Sequence, residues 1–247
     1  MRTRYDSLVL SLLSPIRLAR SLFAGWFLFA ASFAFGQQYV GRYDVYGGFM
    51  YLDSPHINLA ERGFHMQAGV RPTTWYSLGF DYSIETGHTN LTPSLLTTGL
   101  QQQLGTQLQQ LAALGKIPPG YSLNVPIDST TQTFAAGPQL AYRRWPLVTL
   151  YARPSIGAIH EVATPHATDP IAQLVVAQLA PSGQKTDWTP FYGVGGSVDV
   201  NLRKHFSLRL SVDFVHDHLF SDLLKDGRNT VRLAIGPALQ FGPNAAK

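Results

Sequence analysis

Residues 75–84, WYSLGFDYSI, constrain the fold more than any other stretch of the chain. In an extended strand Tyr76, Leu78, Phe80, Tyr82 and Ile84 share one face, and Ser77, Gly79, Asp81 and Ser83 share the other, because side chains alternate with a period of two. Such a strand has two possible homes. In a soluble sandwich or barrel the oily face is the core, whereas in a membrane barrel it meets lipid and the aspartate points inward.

The same device recurs along the chain, in eight segments separated by turn residues: 42–52, 63–70, 75–85, 131–143, 147–159, 191–200, 206–214 and 230–241. Most are close to the roughly 9 to 11 residues that a tilted strand needs to cross a bilayer. Their connections alternate in length. RPTT (71–74), RWP (144–146) and NLRKH (201–205) are short, and the links between them are longer, above all 86–130 and 160–190. Short turns at one end and long loops at the other are the layout of an up-and-down membrane barrel; a soluble Greek key mixes lengths and ends.

Charge decides where each face points. With the apolar parity of each segment taken as the outer face, Arg42, Asp44, Asp81, Glu85, Arg143, Arg153, Asp199, Arg209, Asp213 and Arg232 all take the opposite parity. These five cations and five anions are expected to form a structural network of ion pairs filling the lumen. The outer face holds Val45, Phe49, Phe80, Ile156, Leu210, Phe214 and Leu233, among others. Parity alone also fits a soluble barrel with an oily core and a charged surface. Small residues argue against that, since Gly48, Gly69, Gly79, Gly137, Gly157, Gly193, Gly195 and Gly236 share the charged face. A narrow eight-stranded interior needs such room, and a solvated surface does not. Trp75, Trp145, Tyr43, Tyr51, Tyr142 and Phe241 stand near segment ends, where aromatic girdles form. Pro138, Pro154 and Pro237 fall inside segments, and Gly137–Pro138 and Gly236–Pro237 are expected to be bulges.

Composition agrees with the membrane reading. Charged residues make up 14% of the 247, well under the roughly 25% of soluble domains. There is no cysteine, which removes disulfides, thiolate metal sites and cysteine nucleophiles. Arg2, Arg4, Arg17 and Arg20 precede an apolar run, residues 21–35, that ends in Ala34–Phe35–Gly36. Those 15 residues are short of the roughly 20 that a spanning helix requires, and they read as a secretory signal over 1–36, cleaved between Gly36 and Gln37. Removing the signal takes away four arginines and Asp6, so the formal charge falls from +4 to +1. No basic surface interleaved with aromatics remains, and nucleic acid is not an expected partner.

DVYGGFMYL (44–52) and NTVRLAIGPALQFG (229–242) resemble the first and last strands of bacterial OmpA-like outer-membrane β-barrel domains. The resemblance implies an all-β fold, an eight-stranded antiparallel up-and-down transmembrane barrel over 37–247, in the bacterial outer membrane. It also implies contact with outer-membrane lipid and lipopolysaccharide, delivery by the outer-membrane assembly machinery, and a monomer. Only PNAAK follows the last strand, so no periplasmic domain is expected, and Phe241 lies six residues before Lys247 instead of ending the chain.

Residues 92–114 carry Leu96, Leu100, Leu104, Leu108 and Leu111 at helical spacing, and 169–181 begins with Asp169 as cap and Pro170 at the first helical position. Two short loop helices are expected, packed on each other or on the barrel rim. His216, His218 and Ser221, with His160 and Glu161, are the one constellation with catalytic or metal-binding types. The His-x-His spacing differs from the His-x-Ser of lipid-deacylating barrels, and two histidines fall short of a metal ligand set. Neither a cofactor, a metal nor a catalytic residue is expected. The expected role is non-catalytic: envelope anchoring and integrity, or surface contacts through the long loops. A small-solute channel and a lipid-modifying enzyme are the alternatives.

Overall fold

The structure, a computed structural model, describes residues 39–247. The signal segment and the Gly36–Gln37 bond lie outside the described residues. Eight strands follow one another: β1 Gly41–Ser54, β2 Leu59–Val70, β3 Tyr76–Leu91, β4 Val125–Tyr142, β5 Val148–Pro165, β6 Lys185–Arg203, β7 Phe206–Asp217 and β8 Arg228–Asn244. Each pairs antiparallel with the next, and β1 closes on β8. Closure leaves no strand edge with unpaired backbone groups, the condition for a sheet to sit in hydrocarbon.

The strands are longer than the oily alternation indicated. β3 continues to Leu91, β4 begins at Val125, and β5 and β6 stay paired from Val148–Val200 up to Ala163–Lys185. On these extensions the outward positions become polar, as at Thr86, His88, Asp128 and Thr164. Pairing thus persists beyond the level where lipid demands an apolar exterior, so the pattern fades before the strand does. The link between β1 and β2 shrinks accordingly to a single turn, Pro55–Ile57, ending at Asn58 in the left-handed region at φ 50°.

Outward residues settle which solvent the barrel faces. Ile156 is 70% exposed and Phe214 57%, whereas Asp81 is 4% and Asp199 0% exposed. Phe49, Phe64, Phe80, Leu140, Val194, Leu210, Leu233 and Leu239 join the exposed set and surround the barrel. At about 25 cal/mol for each Å² of apolar surface, such a belt is untenable in water and at home in acyl chains. Trp75, Tyr142 and Trp145 mark its edge at the short turns, with Tyr142 and Trp145 in edge contact at 5.6 Å.

The two expected bulges are corrected by the pairing. Register is continuous through Gly137–Pro138 and Gly236–Pro237, and shifts instead at Gly41/Tyr43 and Asn201/Arg203. Both prolines point outward, and the glycine before each admits a neighbouring backbone. A Cβ on Gly137 or on Gly236 would lie 2.3 Å from the Pro154 or the Gly47 carbonyl oxygen, respectively.

At the end opposite the short turns, α1 (Thr98–Ala113) and α2 (Pro170–Leu179) close over the mouth. Leu96 and Leu104 pack with Ala172 and Val175, so the helices meet through their apolar stripes. A second cluster joins Ile159 and Phe191 of the wall to Leu219 and Phe220 of the β7–β8 loop. Backbone bonds fasten the roof together, from Thr97 N–H to the Leu223 carbonyl at 2.8 Å and from Lys225 N–H to the Leu95 carbonyl at 3.0 Å.

Candidate functional site

The barrel interior is an ordered stack of charged and polar side chains. Nearest the short turns, Arg71 and Arg143 donate to the Tyr151 hydroxyl at 3.1 and 2.9 Å, and Arg71 also pairs with Asp44 at 3.2 Å. Above them Arg209 donates from Nε and Nη2 to the two oxygens of Asp199, at 2.7 and 2.8 Å, and from Nη1 to Gln67 at 2.6 Å. Its guanidinium also sits 5.1 Å from the Tyr151 ring and 3.2 Å from Asp44.

In the next layer Arg153 donates to Asp213 at 3.0 and 2.6 Å and to Asp81 at 2.8 Å, while His65 Nε2 lies 3.0 Å from Asp81. Arg232 bonds to Ser83 at 2.8 Å. Near the extracellular mouth Arg228 bridges Glu161, at 2.6 Å, and Asp217, at 3.2 Å, and Ser129 donates to Glu61 at 2.5 Å. Buried charges are tolerated only when paired and hydrogen-bonded. Partners on β3, β5, β6, β7 and β8 therefore tie opposite walls together across the bore.

Of the ten charges assigned to this network from sequence, Asp44, Asp81, Glu85, Arg153, Asp199, Arg209, Asp213 and Arg232 lie buried inside, and Arg143 is half-buried at the periplasmic end. Arg42 is a correction. The β1–β8 register slips by one residue between Gly41 and Tyr43, so Gly41 turns in and Arg42 turns out to the surface. Arg71, placed in a turn by the sequence pattern, occupies the inward position against Asp44 instead. Glu61, Asp217 and Arg228 also belong to the network. They lie just beyond the expected segments, but each keeps the inward parity of its strand, and extending the parity count by a few residues would have found them.

The histidine constellation does not converge. His216 is on the outer face, its Nδ1 2.8 Å from the Asn229 amide oxygen and its ring 5.3 Å from Tyr192 and 4.8 Å from His218. His160 stacks outside on Trp188 at 4.5 Å, whereas Glu161 is inside on Arg228. The barrel wall separates the carboxylate from the imidazoles. Ser221 is exposed in the loop beyond. Among the described residues no group of three or more His, Cys, Asp or Glu is arranged to hold a metal ion.

In the roof, Asp169 caps α2 by accepting the N–H groups of Ile171 and Ala172 at 2.8 and 2.9 Å, and the Tyr121 hydroxyl at 3.0 Å. The Ala172 N–H holds its carboxyl below the ordinary aspartate range, with help from Tyr121 and Ile171. Desolvation, reinforced by that carboxylate, pushes the Tyr121 phenol up to about 12.

No protein-family model and no curated protein sequence matches the chain. Among solved structures it is similar to Ail, the attachment invasion locus protein of Yersinia pestis, at 13% identity over 82% of this chain and 99% of that one, with a TM-score of 0.45. It is also similar to Neisserial surface protein A, at 9% identity over 81% and 96% with a TM-score of 0.49. A third is the outer membrane protein OprG from Pseudomonas aeruginosa, at 11% identity over 84% and 99% with a TM-score of 0.43. These are likenesses of fold and transfer no residue's role. The chain's own closed sheet, exposed apolar belt and ionic interior are those of a small eight-stranded transmembrane β-barrel.

Proposed function

We propose that the protein is a sealed, non-catalytic barrel that anchors in the outer membrane, contributes to envelope integrity, and presents its roofed loops to the outside. One observation carries this reading. Three arginines, Arg209, Arg153 and Arg228, each bind two carboxylates at successive heights of the bore, and their pairs span different strands. A hydrated ion passing through would have to displace these contacts in turn. Each is an ion pair, and five of the six are charge-assisted hydrogen bonds, between groups that stay unsolvated once separated.

Reconstitution in planar bilayers tests the proposal. Wild-type protein is expected to give no sustained conductance of porin scale. Large, steady, ion-selective currents that change in Arg153→Ala or Asp199→Ala would make it a channel. The enzymatic alternative is tested separately, by mass spectrometry of lipid A from cells with and without the protein, where an unchanged acyl pattern is expected.

A further inference from the structure

The roof contains an apolar space. Between the β3–β6 side of the mouth and α2 lies a chamber of about 80 Å³, walled by Leu91, Val125, Val175, Leu179, Phe220 and Leu224. A packed interior leaves few voids larger than a water molecule, so this is more than the seam between two apolar clusters. Leu91 and Val125 are directly paired at the upper end of β3 and β4, so paired strands wall the chamber on that side. Three of the polar side chains at its edge are already engaged. Glu161 is bound by Arg228, Lys185 by Asp222, and the Thr89 hydroxyl donates to the Ile57 carbonyl at 2.7 Å.

We propose that this chamber is a binding site for a narrow, neutral hydrocarbon group, one alkyl chain in cross-section, taken up from the extracellular side as part of a small free molecule. Chemistry and size both point there. With its charged neighbours committed to one another, the chamber offers a ligand apolar contact and no spare ionic partner. An apolar protein cavity of about 150 Å³ admits benzene; this one, about 80 Å³, is roughly half that, too small for a ring and sized for the terminal carbons of an alkyl chain. Glu161, which lines the chamber, is locked to Arg228, and Arg228 in turn binds Asp217, so a bound chain that reached inward would meet a closed ion cluster. An acyl tail of a membrane lipid offers the same chemistry. The wall of paired strands argues for the free molecule, since a lipid tail would have to leave the bilayer and enter from above.

The proposal goes beyond the sealed-barrel reading and is read out separately from conductance. The full barrel, reconstituted in nanodiscs with ¹³C-methyl Leu and Val, is titrated with n-hexane. Saturable shifts are expected at Leu91, Val175, Leu179 and Leu224, against a linear, non-saturating response at lipid-facing Leu210 and Leu233. Ala163→Phe, which fills the chamber from β5, should abolish the saturable shifts and leave the linear ones. Leu179→Trp fills it from α2 and serves if the first variant fails to fold, as judged by heat-modified mobility on gels. Equal, non-saturating responses at both sets of methyls would overturn the proposal, as would saturable shifts surviving in a folded, filled variant. Saturable shifts of the same size with dihexanoylphosphatidylcholine would overturn the assignment to a free molecule, by making a lipid chain the occupant.

Discussion

Asp199 of β6 and Arg209 of β7 are direct partners in the sheet register, and their side chains meet inside the bore through two hydrogen bonds of 2.7 and 2.8 Å. Register and ion pair thus specify each other: a one-residue slip of either strand would turn its own charge into lipid and leave the other buried without its partner. Because the pair is almost wholly desolvated, removing one member should cost far more than replacing both. Arg209→Ala is expected to lose about 3 to 5 kcal/mol, whereas Arg209→Met with Asp199→Leu should recover much of that loss. Asp44 and Gln67, which also contact Arg209, keep the recovery incomplete. Urea unfolding in lipid vesicles checks the ordering, and equal losses in the single and double variants would show that the bonds contribute little.

The fold was legible because lipid leaves the sequence little freedom. Every mid-membrane outward position must be apolar, so Leu78, Phe80 and Tyr82 against Gly79 and Asp81 specify orientation as well as strand. That signal stops where the bilayer stops, and for this reason Glu61, Asp217 and Arg228, on strand extensions or at their ends, were missed. Arg42 was misplaced for another reason, since a bulge resets parity without leaving a mark in composition. Contacts across the bore, such as Arg153 of β5 with Asp81 of β3 and Asp213 of β7, depend on how far the strands stagger around the barrel, which alternation does not encode. The chamber in the roof depends on three loops meeting, and no single segment foreshadows it.

Leu210 and Asp81 separate the two faces energetically. Leu210 is 45% exposed on the lipid side of β7, and Leu210→Arg is expected to destabilise the barrel by about 2 to 4 kcal/mol if the site lies at the bilayer midplane. Asp81→Leu should cost less, because Arg153 keeps both of its bonds to Asp213. Parallel urea unfolding in vesicles measures both. A harmless Leu210→Arg would contradict the assignment of the outer face to lipid.

Asp169 gives the roof a defined acid limit. Its carboxyl is held below the ordinary value by the Ala172 N–H, with Tyr121 and Ile171 adding to the effect. A group whose folded value is depressed contributes stability that is fully present above its unfolded value, about 3.9 for aspartate, and is lost as pH falls through the lower folded value. The Ile171 and Ala172 amide resonances should therefore titrate together with a midpoint below about 3.9, and α2 should fray beneath it while the strands remain paired. In Asp169→Ala the titration should vanish and α2 should be frayed at every pH. A midpoint above the ordinary value would mean that the cap does not favour the charged form.

Gly157 tests how closely the walls approach. It lies on the inner parity of β5, opposite Ala135 of β4 and Phe191 of β6, and a Cβ there would fall 1.9 Å from the Phe134 carbonyl oxygen and 2.7 Å from the Phe191 ring. The first obstacle is backbone already committed to the sheet and cannot swing aside as a side chain could. Gly157→Ala should therefore force β4 and β5 apart locally, and Gly157→Val more so, by adding bulk against Phe191 and the apolar cluster around it. We expect reduced yield of the heat-modifiable folded form for alanine and its near loss for valine. Gly105→Ala, at a helical position on α1 with nothing within 4 Å of the added atom, should leave folding unchanged. If Gly157→Val folds as well as wild type, glycine is not what sets the strand spacing here, and the inward glycines would have to be explained by room for the lumen side chains alone.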